Sequence, residues 1–122
     1  MITFDGFKKL DMRIGKILSA KKVKGTNKLM KIVIDLGTEK RQLVAGIGDL
    51  YKPDMIIGKE IPVLTNLEMR KIRGIESQGM ILAVDVEGKP ILLYPEREVP
   101  PCKYYKIAFV AMIFYIICHV TS

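Results

Sequence analysis

Between residues 12 and 47, apolar and polar positions alternate with a period close to two. Met12, Ile14 and Ile17 are interleaved with Arg13 and Lys16, and Leu29-Met30-Lys31-Ile32-Val33-Ile34-Asp35-Leu36 is β-branched and partly alternating. Arg41-Gln42-Leu43-Val44-Ala45-Gly46-Ile47 makes a third run. This period predicts half-buried strands carrying their lysines on the outer face. Lys24-Gly25-Thr26-Asn27-Lys28 gathers turn residues between the first two strands, and Gly37-Thr38-Glu39-Lys40 has hairpin length.

Pro53 follows Asp49-Leu50-Tyr51-Lys52 closely and Gly58 ends the next short stretch, so only one or two helical turns fit there. Strand character resumes over residues 61–66, where Pro62 points to a sheet edge or to the first residues of a strand. After a basic run, Ser77 to Val84 reads as one apolar strand, Asp85 to Pro90 as a turn and Ile91 to Pro95 as a last short strand. Five or six evenly spaced strands with Gly-containing turns predict an all-β domain with short helical segments. A five-stranded OB-fold barrel suits the length; an SH3-like barrel or a sandwich shares the pattern.

At 122 residues the chain has the size of one domain, and 49% hydrophobic with 27% charged residues excludes a disordered polyelectrolyte. The expected division is an OB-fold domain over residues 1–102 and an apolar tail over 103–122. The tail runs uncharged from Ile107 to Cys118, short of the roughly twenty residues that a membrane-spanning helix needs. An anchor, a buried dimer segment and a foreign stretch from an altered reading frame all remain open for it, with a membrane role the minority reading.

Charge sharpens the picture. Net charge is +7, and residues 8 to 31 hold nine cations (Lys8, Lys9, Arg13, Lys16, Lys21, Lys22, Lys24, Lys28, Lys31) against Asp11 alone. An anionic partner follows, either nucleic acid, acidic lipid or acidic protein. Taken one at a time, these lysines read as an ordinary solvated face. The single histidine, His119, lies in the apolar tail, and Cys102 and Cys118 form no zinc or redox spacing. Neither a phosphate-cradling glycine motif nor a catalytic cluster is present, so the expectation is a non-enzyme with no cofactor and no metal. A reducing, cytoplasmic setting fits the cysteines and the lack of a charged-then-apolar leader.

The segment from Asn66 to Met80 combines three kinds of group. Arg70, Lys71 and Arg73 can pair with phosphate oxygens, Asn66 and Ser77 can bond an exposed base, and Met80 can lie against its face. By composition alone, a basic turn between two structural strands explains the segment equally well.

This segment, with Asp11-Met12-Arg13-Ile14-Gly15-Lys16-Ile17 and Arg41-Gln42-Leu43-Val44-Ala45-Gly46-Ile47, resembles the tRNA-binding domain appended to methionyl-tRNA synthetases. The same module also occurs as a free-standing tRNA-binding protein and as a separate synthetase beta subunit. The resemblance covers residues 2 to 102 and implies an OB-fold homodimer that grips the outside corner of tRNA, supplying affinity rather than aminoacylation. By the same resemblance Lys28, Arg41, Asn66, Arg73, Ser77 and Met80 fall on the family's binding positions, as does Arg13. Arg70 and Lys71 complete the candidate site. Val23-Lys24-Gly25-Thr26-Asn27 departs from the family's His-Pro-Asn-Ala-Asp type of turn. The alternative function is a chaperone-like dimer of the same fold that holds other proteins on an apolar surface.

Overall fold

A computed structural model describes residues 1–101 and 107. The expectations placed on Cys102 and on the tail, Ile107 excepted, lie outside those residues. Two short helices, α1 (Phe4–Lys8) and α2 (Pro53–Ile56), accompany nine strands. These are β1 (Met12–Lys22), β2 (Met30–Asp35), β3 (Lys40–Ala45), β4 (Glu60–Leu64), β5 (Arg70–Ile72), β6 (Ile75–Ser77), β7 (Met80–Ile81), β8 (Ala83–Val86) and β9 (Lys89–Leu92). Five of them form one antiparallel sheet in the order β3-β2-β1-β4-β7, while β5–β6 and β8–β9 are separate hairpins. The curled sheet is an OB-like barrel, as the spacing of the strands predicts.

Period two is cleanest in β2, where Met30, Ile32 and Ile34 are fully buried and the residues between them are not. They meet Ile17, Leu36, Leu43, Ile47, Ile56, Ile61, Val63 and Leu92 in one core. Burying a side chain of this kind contributes about 1.5–3 kcal/mol, so the sheet is held mainly by this inner face. A bulge between Ile17 and Ser19 bends β1, the longest strand, and lets one strand pair with both β2 and β4. Pro62 sits inside β4 opposite Ile14, and its carbonyl accepts from Leu82 N–H. Its missing N–H faces the same side as that carbonyl, where the β7 ladder pairs only Val63 and Leu64 and asks for no donor from Pro62.

The expected short helical turn near Pro53 is α2, with Pro53 at its first position, where a missing N–H costs nothing. The apolar stretch 77–84 is not one strand: it is divided among the end of β6, β7 and β8, because the chain turns the corner that closes the barrel. Helix α1, capped by the Thr3 hydroxyl accepting from Gly6 N–H at 3.0 Å, has no strong signal in its sequence.

Side chains close the barrel where the ladder runs out. The outer edge of β3 meets the β6–β7 corner through Gln42, whose carbonyl accepts from Gln78 N–H at 2.8 Å. Its own amide N–H donates to Gln78 Oε1 at 3.1 Å, and its Nε2 donates to Glu76 O at 2.9 Å. Hydrogen bonds of this kind contribute about 0.5–1.5 kcal/mol each, and leaving a buried donor unpaired costs more.

Candidate nucleic-acid interface

The eight candidate residues divide into those held by the closure of the barrel and those left on its surface. Arg41 donates from Nη1 to Thr65 O and to Gln78 O (3.4 Å), and from Nη2 to Glu39 Oε1 at 2.9 Å. Ser77 is buried, with its Oγ accepting from Val44 N–H at 3.0 Å and donating to Gly79 O at 3.2 Å. The Asn66 amide accepts from Asp11 N–H at 2.7 Å and donates to Lys9 O at 2.5 Å, tying the segment after α1 to the end of β4. All three side chains are therefore engaged with the protein's own backbone. Arg13 joins them, paired through two hydrogen bonds with Asp11, which hold its guanidinium protonated even more firmly than usual.

Arg70, Lys71, Arg73 and Met80 are exposed. Of the five arginines, Arg13, Arg41 and Arg97 each bridge to a neighbouring carboxylate. Among the described residues Arg70 and Arg73 have no ion-pair partner. Both belong to β5–β6, a hairpin whose two-residue loop is Arg73-Gly74 at φ 52° and 77°. Such a loop needs left-handed backbone at both positions, which suits Gly74 and strains an arginine. The strained residue sends its guanidinium across to the turn after β1, where a Cβ placed on Gly25 would lie 3.7 Å from Nη1.

Arg73 completes a depression of about 340 Å³ lined by Lys21, Lys22, Val23, Lys24, Lys31 and Ile75. Five cations and no acid line it. Lys21 and Lys31 are direct cross-strand partners of β1 and β2, an arrangement that costs free energy through like-charge repulsion unless an anion lies between them. Elsewhere on β2 the pairing is complementary, with Asp35 opposite Lys16 and Lys40.

A second depression, of about 260 Å³, also borders β5–β6, through Arg70, Ile72 and Ser77. Its lining is largely apolar and includes small residues at Ala45, Gly46, Gly79 and Ala83, with Leu67 and Met80, the buried Ser77, and Glu68 and Arg70 as its charged groups. Lys28 lines neither depression; it lies beside Gly46 in a third one, with Ala83, Asp85 and Pro90. The substituted turn still fixes the Lys28 backbone. Thr26 Oγ1 accepts from Lys28 N–H at 3.1 Å, and Lys28 O accepts from Gly48 N–H at 2.7 Å. Only glycine fits at 48, since a Cβ there would come within 2.3 Å of Asn27 O. Lys71 stands opposite Glu76 in the hairpin and lines neither depression.

Of the candidate residues, Arg70, Ser77 and Met80 line the apolar depression and Arg73 the cationic one; the sequence pointed to a basic face from the first strand and the Arg70–Arg73 loop without singling out Lys21, Lys22, Lys24 or Lys31, and passed over Leu67 and Glu68. The one available signal was the surplus of cations over residues 8–31, which does not say which lysines share a face. Among the described residues no three His, Cys, Asp or Glu side chains group as metal ligands, and no helix is long and apolar enough to cross a membrane.

Comparison with known proteins gives the family. Methionine–tRNA ligases from Methanothrix thermoacetophila and Thermotoga maritima are each 50% identical to the chain over 100 residues, or 82% of it. The chain spans only about 15% of the length of these curated relatives. A MetRS-related protein from Pyrococcus horikoshii superposes with a TM-score of 0.82 at 35% identity, covering 88% of this chain and 98% of that one. The chaperone CsaA of Bacillus anthracis superposes at 0.79 and 30% identity, covering 88% and 99%. Residues 12–103 match the family described as "Putative tRNA binding domain", and with an OB-like barrel, an acid-free cationic depression and these relatives, the chain belongs to that tRNA-binding family.

Proposed function

We propose that this chain is a non-catalytic module that binds tRNA by its shape and serves as an accessory to methionyl-tRNA synthetase, acting as a cytoplasmic homodimer. The observation that carries the reading is the depression where Lys21, Lys22, Lys24, Lys31 and Arg73 converge without an acid, because a fold gains nothing by opposing Lys21 to Lys31 unless an anion fills the gap. Phosphates of a folded polynucleotide meet that need. Arg70 carries positive charge on to the apolar depression, so the bound strand would pass over β5–β6.

In this reading Arg41, Asn66 and Ser77 act by holding the surface in shape rather than by touching RNA, since their polar atoms already have partners. Electrophoretic titration with folded and heat-denatured tRNA tests the proposal. Tighter binding of the folded form is expected, with log affinity falling against log salt by about 0.7–0.9 per phosphate neutralised. Equal binding of both forms refutes recognition by shape.

A second reading, a chaperone-like protein binder, is favoured by the likeness to CsaA and by the exposed apolar face of β8–β9, where Val84 pairs with Ile91. It predicts binding of unfolded chains that survives Arg73→Ala and changes little with salt.

A further inference from the structure

The apolar depression beside β5–β6 is not needed for phosphate binding, and it has the build of a site for something flat. Ala45, Gly46, Gly79 and Ala83 leave room along its lining, while Leu67 and the half-exposed Met80 present apolar atoms to an occupant. Its volume of about 260 Å³ is close to the lower end of small-ligand pockets. Glu68 and Arg70 are its two charged lining groups, and among the described residues neither is in an ion pair. Both charges therefore remain available to an incoming group.

A carboxylate and a guanidinium on one apolar pocket select among nucleobases. Guanine places two adjacent donors, N1–H and the N2 amine, where a carboxylate can accept both, and offers O6 and N7 to a guanidinium. Adenine lacks the adjacent donor pair, uracil has a single N–H, and cytosine presents only its amine to the carboxylate. The strand that brings such a base must also place phosphates nearby. Arg70 and Arg73 lie three residues apart on one hairpin, on the order of 10 Å, so a nucleotide in the pocket has the cationic depression within reach of its neighbours' phosphates.

We infer that this pocket takes one unstacked guanine of the bound RNA, with Glu68 and Arg70 reading its edge and Leu67 and Met80 packing on its face. The inference rests on the tRNA-binding reading and adds a base-specific contact to recognition that otherwise depends on shape and charge. It moves the base contact from Asn66 and Ser77, whose polar atoms are engaged, to Glu68 and Arg70.

The test uses the whole chain and four single-stranded RNA pentamers, UUGUU, UUAUU, UUCUU and UUUUU, titrated by calorimetry or NMR. UUGUU is expected to bind about tenfold more tightly than the others, the size of one good bidentate base contact. Glu68→Gln, at an exposed position outside the core, should abolish that preference. Arg70→Ala, which removes the guanidinium from the pocket, should reduce UUGUU to the level of UUUUU. Four equal affinities, or a guanine preference that survives Glu68→Gln, would overturn the inference. Failure of the tRNA reading has a different signature: tRNA affinity indifferent to alanine at Lys21, Lys24 and Arg73.

Discussion

The hairpins β5–β6 and β8–β9 share one backbone design. Each closes on a non-glycine followed by a glycine at positive φ, with Arg73-Gly74 at 52° and 77° and Glu87-Gly88 at 53° and 82°. Each has a core-side anchor, Ser77 Oγ to Val44 N–H in the first and Leu92, whose N–H donates to Tyr51 Oη at 3.1 Å, in the second. They differ in what the loop carries. In β8–β9 an acid flanks the loop and supports it, with Asp85 Oδ1 accepting from Gly88 N–H at 2.7 Å. In β5–β6 the loop residue is a cation that reaches away to the β1–β2 turn. Left-handed backbone strains a long side chain by about 1 kcal/mol, a cost both hairpins bear. Only in the first does the strained residue join a cluster of like charge, which marks it as selected for the charge it delivers.

This contrast can be broken at four points. Replacing Lys21, Lys24 and Arg73 together by alanine should weaken tRNA binding about a hundredfold at moderate salt and flatten the log–log salt slope by about 2–3, read by titration at several salt concentrations. Glu87→Ala should change neither. Ser77→Ala should cost about 1–3 kcal/mol in urea unfolding, because Val44 N–H is left without its acceptor in a buried seam, while the folded fraction keeps its tRNA affinity.

Arg73→Asn and Glu87→Asn should each stabilise the fold by about 0.5–1 kcal/mol, since asparagine tolerates left-handed backbone better. Thermal unfolding reads that gain, and only Arg73→Asn should lose tRNA affinity. The smallest effect is alkaline. Burial first, and then the nearby Tyr51, raises the Tyr94 phenol above its ordinary value of 10.0. The folded chain thus holds that proton longer than the unfolded one, so its contribution is present below about pH 10 and fades as pH climbs through the raised value. Tyr94→Phe, just beyond β9, should slightly flatten the alkaline fall in stability without touching tRNA binding at neutral pH.

Much of the barrel was legible because strand periodicity is written locally. Met30, Ile32 and Ile34 had to share a face whatever surrounded them, and Gly37 to Lys40 had to turn the chain. The candidate site was legible only in part. Arg41, Asn66 and Ser77 have the same chemistry whether they meet RNA or their own backbone, and the partners that hold them across the barrel, Thr65, Val44, Asp11 and Lys9, lie 24 to 57 residues away. Ser77 Oγ is within reach of Val44 only because the β6–β7 corner folds onto β3. The lysines were visible as a surplus, yet Lys28 went to a depression beside Asp85 and Lys21, Lys22, Lys24 and Lys31 to the cationic one.

By itself the sequence determined the strands, their inward faces, the glycine turns and the excess of positive charge over residues 8–31, because each depends on neighbours along the chain. The tertiary structure alone decided which polar groups are consumed in closing the barrel and which cations remain free to meet an anion. That division is set by cross-strand register and by the corner at Ser77, where a shift of one residue would turn every side chain to the opposite face.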